Sequence, residues 1–264
     1  MDERVDHGLK EPALQPDRPL RSYLALRRTQ AILACFAASA ILLVLSSGLD
    51  LQVSRLFFHD GFYMAQQRWT QVLHASVTWV VVGSISLSAA VYLVNRLTAR
   101  RLWGLDGRKL TYLLLVLALG SGFMVNGMLK EGFGRARPRE LAEFGGTADF
   151  TPAFLPGTAC SHNCSFSSGD SAGAFFTLSF AYVFTRRRAL MVAAVAYGLL
   201  VSLARIAAGA HFLSDTVVSF FVMLIASDAF HYRLFLFRPA AARAPALPAE
   251  APAAIAAGSE PLLP

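Results

Sequence analysis

Three short stretches, far apart in the chain, carry side chains able to hold an anion and react with it. The last is Arg205-Ile206-Ala207-Ala208-Gly209-Ala210-His211-Phe212-Leu213-Ser214-Asp215. If it is helical, His211 and Asp215 share a face. The carboxylate can then fix one imidazole nitrogen and leave the other as nucleophile or base. The first stretch sets Lys130 before Glu131-Gly132-Phe133-Gly134-Arg135-Ala136-Arg137-Pro138. The middle one, Cys164-Ser165-Phe166-Ser167-Ser168-Gly169-Asp170-Ser171, leads straight into an apolar helix. Unpaired N–H groups and the helix dipole at such a start favour a phosphate. Singly, each has a plainer explanation. These are an interfacial histidine, snorkelling cations, and an ordinary N-cap at Ser167 or Ser168 with Asp170 in the first turn.

The elements that must position these groups are apolar. The 264 residues are 55% hydrophobic and only 16% charged, with a mean hydropathy of +0.48; charged residues make up about a quarter of an average soluble domain. Disorder, a collagen-like repeat and a disulfide scaffold are excluded. Six stretches approach the roughly 20 residues that a helix needs to cross hydrocarbon: 30–48, 72–94, 110–129, 169–185, 190–208 and 214–235. The fourth is the weakest, being short and opening on Ser168-Gly169-Asp170-Ser171. It is tolerable only if that opening is buried against other helices. The expected fold class is all-α, a polytopic membrane protein built as a six-transmembrane helix bundle. On the third span, Gly120, Gly122 and Gly127 would let helices approach closely.

With six spans both termini share a side. That side collects 17 of the 24 basic residues, so the positive-inside tendency makes it cytoplasmic. The other face keeps Arg55, Arg68, Lys130, Arg135, Arg137, Arg139 and Arg205, and five of these lie in the stretches above or, for Arg139, directly beside one. The net charge of +7 and pI near 9.7 therefore express topology plus an anion site, and no nucleic acid partner is expected. The expected organisation is a polar cytoplasmic segment over 1–28, a six-span domain over 29–238 and a disordered Ala/Pro-rich cytoplasmic tail over 239–264. The first apolar run reads as an uncleaved anchor.

Lys130 with Arg137-Pro138, then Ser168-Gly169, then Arg205, His211 and Asp215 together resemble the three-part signature of the type 2 phosphatidic acid phosphatase superfamily. That superfamily also includes bacterial lipid phosphatases and vanadate-dependent haloperoxidases. The resemblance spans Lys130 to Asp215, about a third of the chain, and implies a phosphohydrolase needing neither metal nor cofactor. His211 would attack phosphorus to give a phosphohistidine, with Asp215 orienting it. Lys130, Arg137 and Arg205 would neutralise phosphate oxygens, and Ser168 with the Gly169 backbone would donate hydrogen bonds. Phosphoryl transfer asks a protein mainly for positioning and charge stabilisation, and this set supplies both. Arginine suits the task because its planar fork binds two oxygens at once.

The middle signature departs from the family's Pro-Ser-Gly-His, reading Ser167-Ser168-Gly169-Asp170. The missing histidine is the family's general acid. Either a protonated Asp170 takes that role, or the leaving group is good enough to need little help, as with a diphosphate or an anomeric oxygen. His162 in the same outer loop is a further candidate. Ala204 stands where the family commonly has serine, which removes one hydroxyl. Cys160 and Cys164 could form a small-loop disulfide on an oxidising face; a zinc site there would lack a fourth ligand. Cys35 reads as a small apolar packer.

A site at the outer ends of the spans lets a lipid headgroup enter while its tails stay in the bilayer. The expected substrate is a lipid phosphate or diphosphate from the outer leaflet. Lipid A phosphorylated at its reducing sugar (the 1-phosphate), undecaprenyl diphosphate and phosphatidylglycerophosphate all fit. The run from Arg137 to Gly146 with the acidic middle signature resembles the lipid A phosphatase branch most. The protein would sit in the inner membrane with its active site facing the periplasm or exterior. Segment 143–165, with Phe144, Phe150 and Phe154, could form a lid or lipid-facing lip. The rivals are a non-catalytic phospholipid-binding relative and a vanadate-dependent halide oxidase. No motif sets an oligomeric state.

Overall fold

The computed structural model describes residues 19–185 and 188–237. The expectations for 1–18 and for the tail after 237 fall outside that range. The described residues are helical or irregular, with one isolated β-bridge between Leu141 and Ala148. Five helices are long and apolar enough to cross a membrane. They are α1 (Arg27–Leu45), α2 (Arg68–Thr98), α3 (Gly107–Gly132), α5 (Arg188–Ala207) and α6 (Leu213–Leu236). The fourth expected stretch, α4, is instead a broken run: Gly169–Phe175, then Thr177–Phe180, then a π-wound turn over Ala181–Thr185.

Burial explains why α4 can afford its polar start. Ser168 and every residue from Ser171 to Phe176 are buried. Phe175, Phe176 and Leu178 join Tyr112, Leu113 and Val116 of α3 and Met223 of α6 in the main core. The hydroxyls of this element therefore meet other helices and not lipid. By contrast, Ile41, Leu42, Trp79, Val82, Leu199 and Leu200 are exposed along α1, α2 and α5. An apolar belt of that extent has no place in water; it is the surface of a multi-pass membrane protein.

Glycines let α4 sit at the centre. A Cβ on Gly173 would come within 2.7 Å of Val77 on α2, and one on Gly198 of α5 would overlap the Phe175 ring at 2.1 Å. On α3 only Gly120 has the role expected of the three glycines, facing Met223 and Ala226 of α6 at 3.2 Å. Gly122 meets only its own helix, and Gly127 only its own helix and the Phe123 side chain. At the far end of α6, the buried Asp228 pairs with Arg28 of α1 at 3.3 Å. Asp228 and Asp215 lie 13 residues apart, about 20 Å along the helix. The bundle is thus tied by ionic contacts at two levels.

In segment 143–165, the three phenylalanines expected at a lid or lipid-facing lip pack against other rings. Phe144 packs on Phe58 and Phe62, Phe150 on Phe212, and Phe154 on Phe166, so all three rings are spent on fixing loops. The segment is also tied back by backbone bonds. Phe133, Gly134 and Arg135 offer their carbonyls to the N–H groups of Gly157, Cys160 and Ser165. Gly134 sits at φ +59, and a Cβ there would strike the Gly157 carbonyl. Cys160 and Cys164 are joined by a disulfide within this loop.

Candidate active site

His211 follows the turn that ends α5. Gly209, at φ +61, makes that turn against the face of Phe62, where a side chain would collide. His211 itself is not helical, contrary to the premise on which it was paired with Asp215; α6 opens at Leu213 with Phe212 as its N-cap. The two residues meet all the same. Asp215 is the third residue of the helix, and its carboxylate reaches back to accept from the Phe212 N–H at 2.9 Å. This is the acidic half of a capping box.

The imidazole is buried, at 1% exposure. Its Nδ1 lies 2.8 Å from the Ser165 carbonyl and 3.4 Å from Asp215 Oδ2. A carbonyl can only accept, so Nδ1 carries the proton and Nε2 holds the lone pair. Nothing in the local sequence marks Ser165 for a role here. Its carbonyl sets the tautomer, and its hydroxyl donates to Asp215 at 2.5 Å.

Behind the imidazole lies a buried ionic cluster. Arg135 donates to Asp215 at 2.6 Å, to Ser214 at 2.8 Å and to Asp50 at 2.8 Å, and its Nε bonds the Thr151 carbonyl. The guanidinium also stacks 4.0 Å from the Phe212 ring. Asp50 takes the Ser214 N–H and hydroxyl as well. Arg135 is one of the outer cations, and its local sequence carries no sign of this task. Asp50, on the short helix Gly48–Arg55, was not singled out at all. The one available signal was a carboxylate between two leucines just past the first span.

The anion-binding candidates converge in front. Lys130 ends α3, and its Nζ is 3.5 Å from where a Cβ on Gly169 would sit. Lys130 feels the charges of Arg137, Arg205 and Asp170, and His211 feels those of Arg137 and Arg205. Arg137 is held by the carbonyl and side chain of Asn163 at 2.8 and 3.2 Å. Asn163 and His162 are in turn fixed by Glu131. His162 is therefore bound to Glu131. Ser168 caps α4, accepting from the N–H and the hydroxyl of Ser171, which itself accepts from Ser202. That chain of hydroxyls leaves the proton of Ser168 as a donor. The N–H groups of Gly169 and Asp170 belong to the helix start, where no acceptor lies within the helix.

Asp170 stands at the rim. Its Oδ2 is 2.9 Å from Arg205 Nε and 3.4 Å from His74 Nδ1. The Arg205 Nε is not aligned on Asp170 as a hydrogen bond, so the pair is one of charge.

Burial holds the His211 pKa below the ordinary histidine value of about 6.5, against the pull of Asp215; the positive charges of Arg137 and Arg205 act in the same sense as burial. A lowered pKa means that the neutral ring persists as pH falls. Histidine-selective 15N NMR of the protein in micelles is expected to find His211 neutral and Nδ1-protonated at pH 6.5, titrating only below that. A ring already half-charged at 6.5 would contradict this placement.

A neutral imidazole with one bare nitrogen, set among cations at the end of a membrane bundle, is what an enzyme needs to attack a phosphorus centre. The class is that of membrane phosphatases. Residues 110–238, just under half of the chain, match the PAP2 superfamily. Among similar proteins is the lipid A 4'-phosphatase of Francisella tularensis subsp. novicida, 28% identical over 192 residues, covering 70% of this chain and 86% of that protein. Lipid A 4'-phosphatases of Rhizobium etli and Rhizobium leguminosarum are 38% and 37% identical over 120 residues, covering 45% of this chain. The chain aligns with about half the length of these two. No solved structure matches.

Proposed function

We propose that the protein removes a phosphate from a lipid A-type glycolipid through a phosphohistidine, and that the phosphate is the one at the 4' position. The observation that carries the mechanism is the Nδ1–Ser165 carbonyl bond, which commits Nε2 to attack. Lys130, Arg137 and Arg205 take up the charge on the non-bridging oxygens. The Ser168 hydroxyl and the Gly169 N–H donate to the same group. Asp215 and Ser165 hold the ring. The names of the three relatives favour a 4' ester over the anomeric 1-phosphate expected from sequence, and over undecaprenyl diphosphate or phosphatidylglycerophosphate. A 4' phosphate leaves from a secondary alcohol, a poor leaving group, so protonation of that oxygen matters. Asp170 is paired with Arg205, its Oδ2 2.9 Å from the Nε. We therefore assign Asp170 to organising Arg205 and the rim, and not to protonating the product.

In the membrane we read α4 as the sixth, short crossing, shielded from lipid by its neighbours. Both ends of the 29–238 domain are then cytoplasmic and the site is at the periplasmic or outer face, the arrangement that the charge distribution favours. The test is phosphate release in detergent, with chelator and no added metal. The panel holds lipid A bearing only a 1- or only a 4'-phosphate, undecaprenyl diphosphate and phosphatidylglycerophosphate. Release from the 4'-monophosphate, well above the rest, is expected. Preference for any other member would overturn the substrate, and release from none would overturn the reading.

A further inference from the structure

We propose that His74, on α2, is the proton donor to the leaving oxygen, bridged through Asp170 to the phosphate-binding Arg205. The inference rests on the phosphatase reading above and adds a catalytic residue to it. Cleaving an alkyl phosphate expels an alkoxide unless a proton arrives as the bond breaks, and general acids contribute about 10²- to 10⁴-fold to such steps. His211 is the nucleophile. Lys130, Arg137 and Arg205 are needed as cations. His162 lies out on the loop before α4, 85% exposed and paired with Glu131 rather than with Asp170, and Asp170 is engaged by Arg205. Among the described residues, the histidine in contact with Asp170 is His74, whose Nδ1 lies 3.4 Å from Asp170 Oδ2.

Its position is set by packing. Gly173 of α4 touches Val77 of α2 so closely that a Cβ would overlap it. Asp170 and His74 each lie three residues earlier, about one helical turn, so the same contact brings them side by side. The His74 side chain is half exposed, at 52%, whereas that of Asp170 is at 25%. The imidazole is thus open on the side away from Asp170, where a headgroup could reach it. His74 is about 137 positions from the nucleophile in sequence, and no motif links them.

In the acid form both ring nitrogens carry protons, and Nδ1–H faces the Asp170 carboxylate. His211 Nε2 attacks phosphorus and the ester P–O bond breaks. The His74 Nε2 proton passes to the ester oxygen, releasing the alcohol. Neutral His74 then takes a proton from water as that water's oxygen attacks the phosphohistidine. The P–N bond breaks, orthophosphate leaves, and both histidines return to their starting forms.

The test compares wild type and His74→Gln on a diacylated glucosamine 4-phosphate and on its analogue with sulfur as the bridging atom. A thiolate leaves without protonation. His74→Gln should lower kcat on the oxygen ester by about 10²-fold and stay within about threefold of wild type on the sulfur analogue. Unchanged thermal unfolding would confirm that the exposed substitution leaves the fold intact. Equal losses on both compounds, or a wild-type rate on the oxygen ester, would overturn the proposal. A wild-type enzyme inert toward the oxygen ester would instead remove the 4' substrate on which it rests.

Discussion

Substituting His211→Ala is expected to lower phosphate release by about 10⁴-fold or more while leaving lipid phosphate binding within a few-fold of wild type. The cations sit on other segments: Lys130 on α3, Arg205 at the end of α5 and Arg137 in the loop between α3 and α4. None of their contacts described above runs through the imidazole, so the anion-binding set survives. Loss of Nε2 removes the only atom assigned to make a bond to phosphorus. The matched measurements are turnover of the lipid and retention of a radiolabelled lipid phosphate by the immobilised protein. Rapid quenching into alkali, where phosphohistidine survives, should trap label on the wild type and not on the variant. A variant that still turns over would remove His211 as the nucleophile. Equal release and binding in both proteins would favour a different nucleophile over a binding-only relative.

The second large effect concerns stability. Arg135→Met should cost about 3–5 kcal/mol, because it leaves Asp50 and Asp215 buried together without their cation. Both carboxylates are almost fully enclosed, at 2% and 0% exposure. Methionine fills most of the arginine's volume, so the loss reflects charge more than cavity. In detergent this should appear as a fall in unfolding midpoint of about 10 °C. Adding Asp50→Asn should recover part of the loss, since one of the two orphaned charges is removed. A single variant as stable as wild type would show that the cluster does not hold the site together. An additive double variant would show that Arg135 and Asp50 are not coupled.

The contrast between these two residues explains what could be read early. His211 was legible because Arg205 and Asp215 flank it within a few positions, and because charged groups at the end of an apolar run are costly enough to need a reason. Arg135 bonds Asp50 across 85 positions and Asp215 across 80. Neither separation has a local periodicity that could reveal it. The His74 and Asp170 contact is of the same kind, made by two helices whose approach depends on one glycine. The premise that His211 and Asp215 share a helix was replaced by a cap, because Gly209 turns the chain before α6 begins.

Composition and local pattern by themselves determined the membrane class, the all-helical architecture and the stretches bearing the reactive groups. Those properties follow from hydropathy and from neighbours a few residues apart. Only tertiary structure decided that the fourth stretch is a buried, broken element and that a serine carbonyl sets the imidazole's tautomer. It also placed a second histidine at the rim. Each of these depends on which distant backbone comes within hydrogen-bonding distance, and that is settled by side-chain packing between helices.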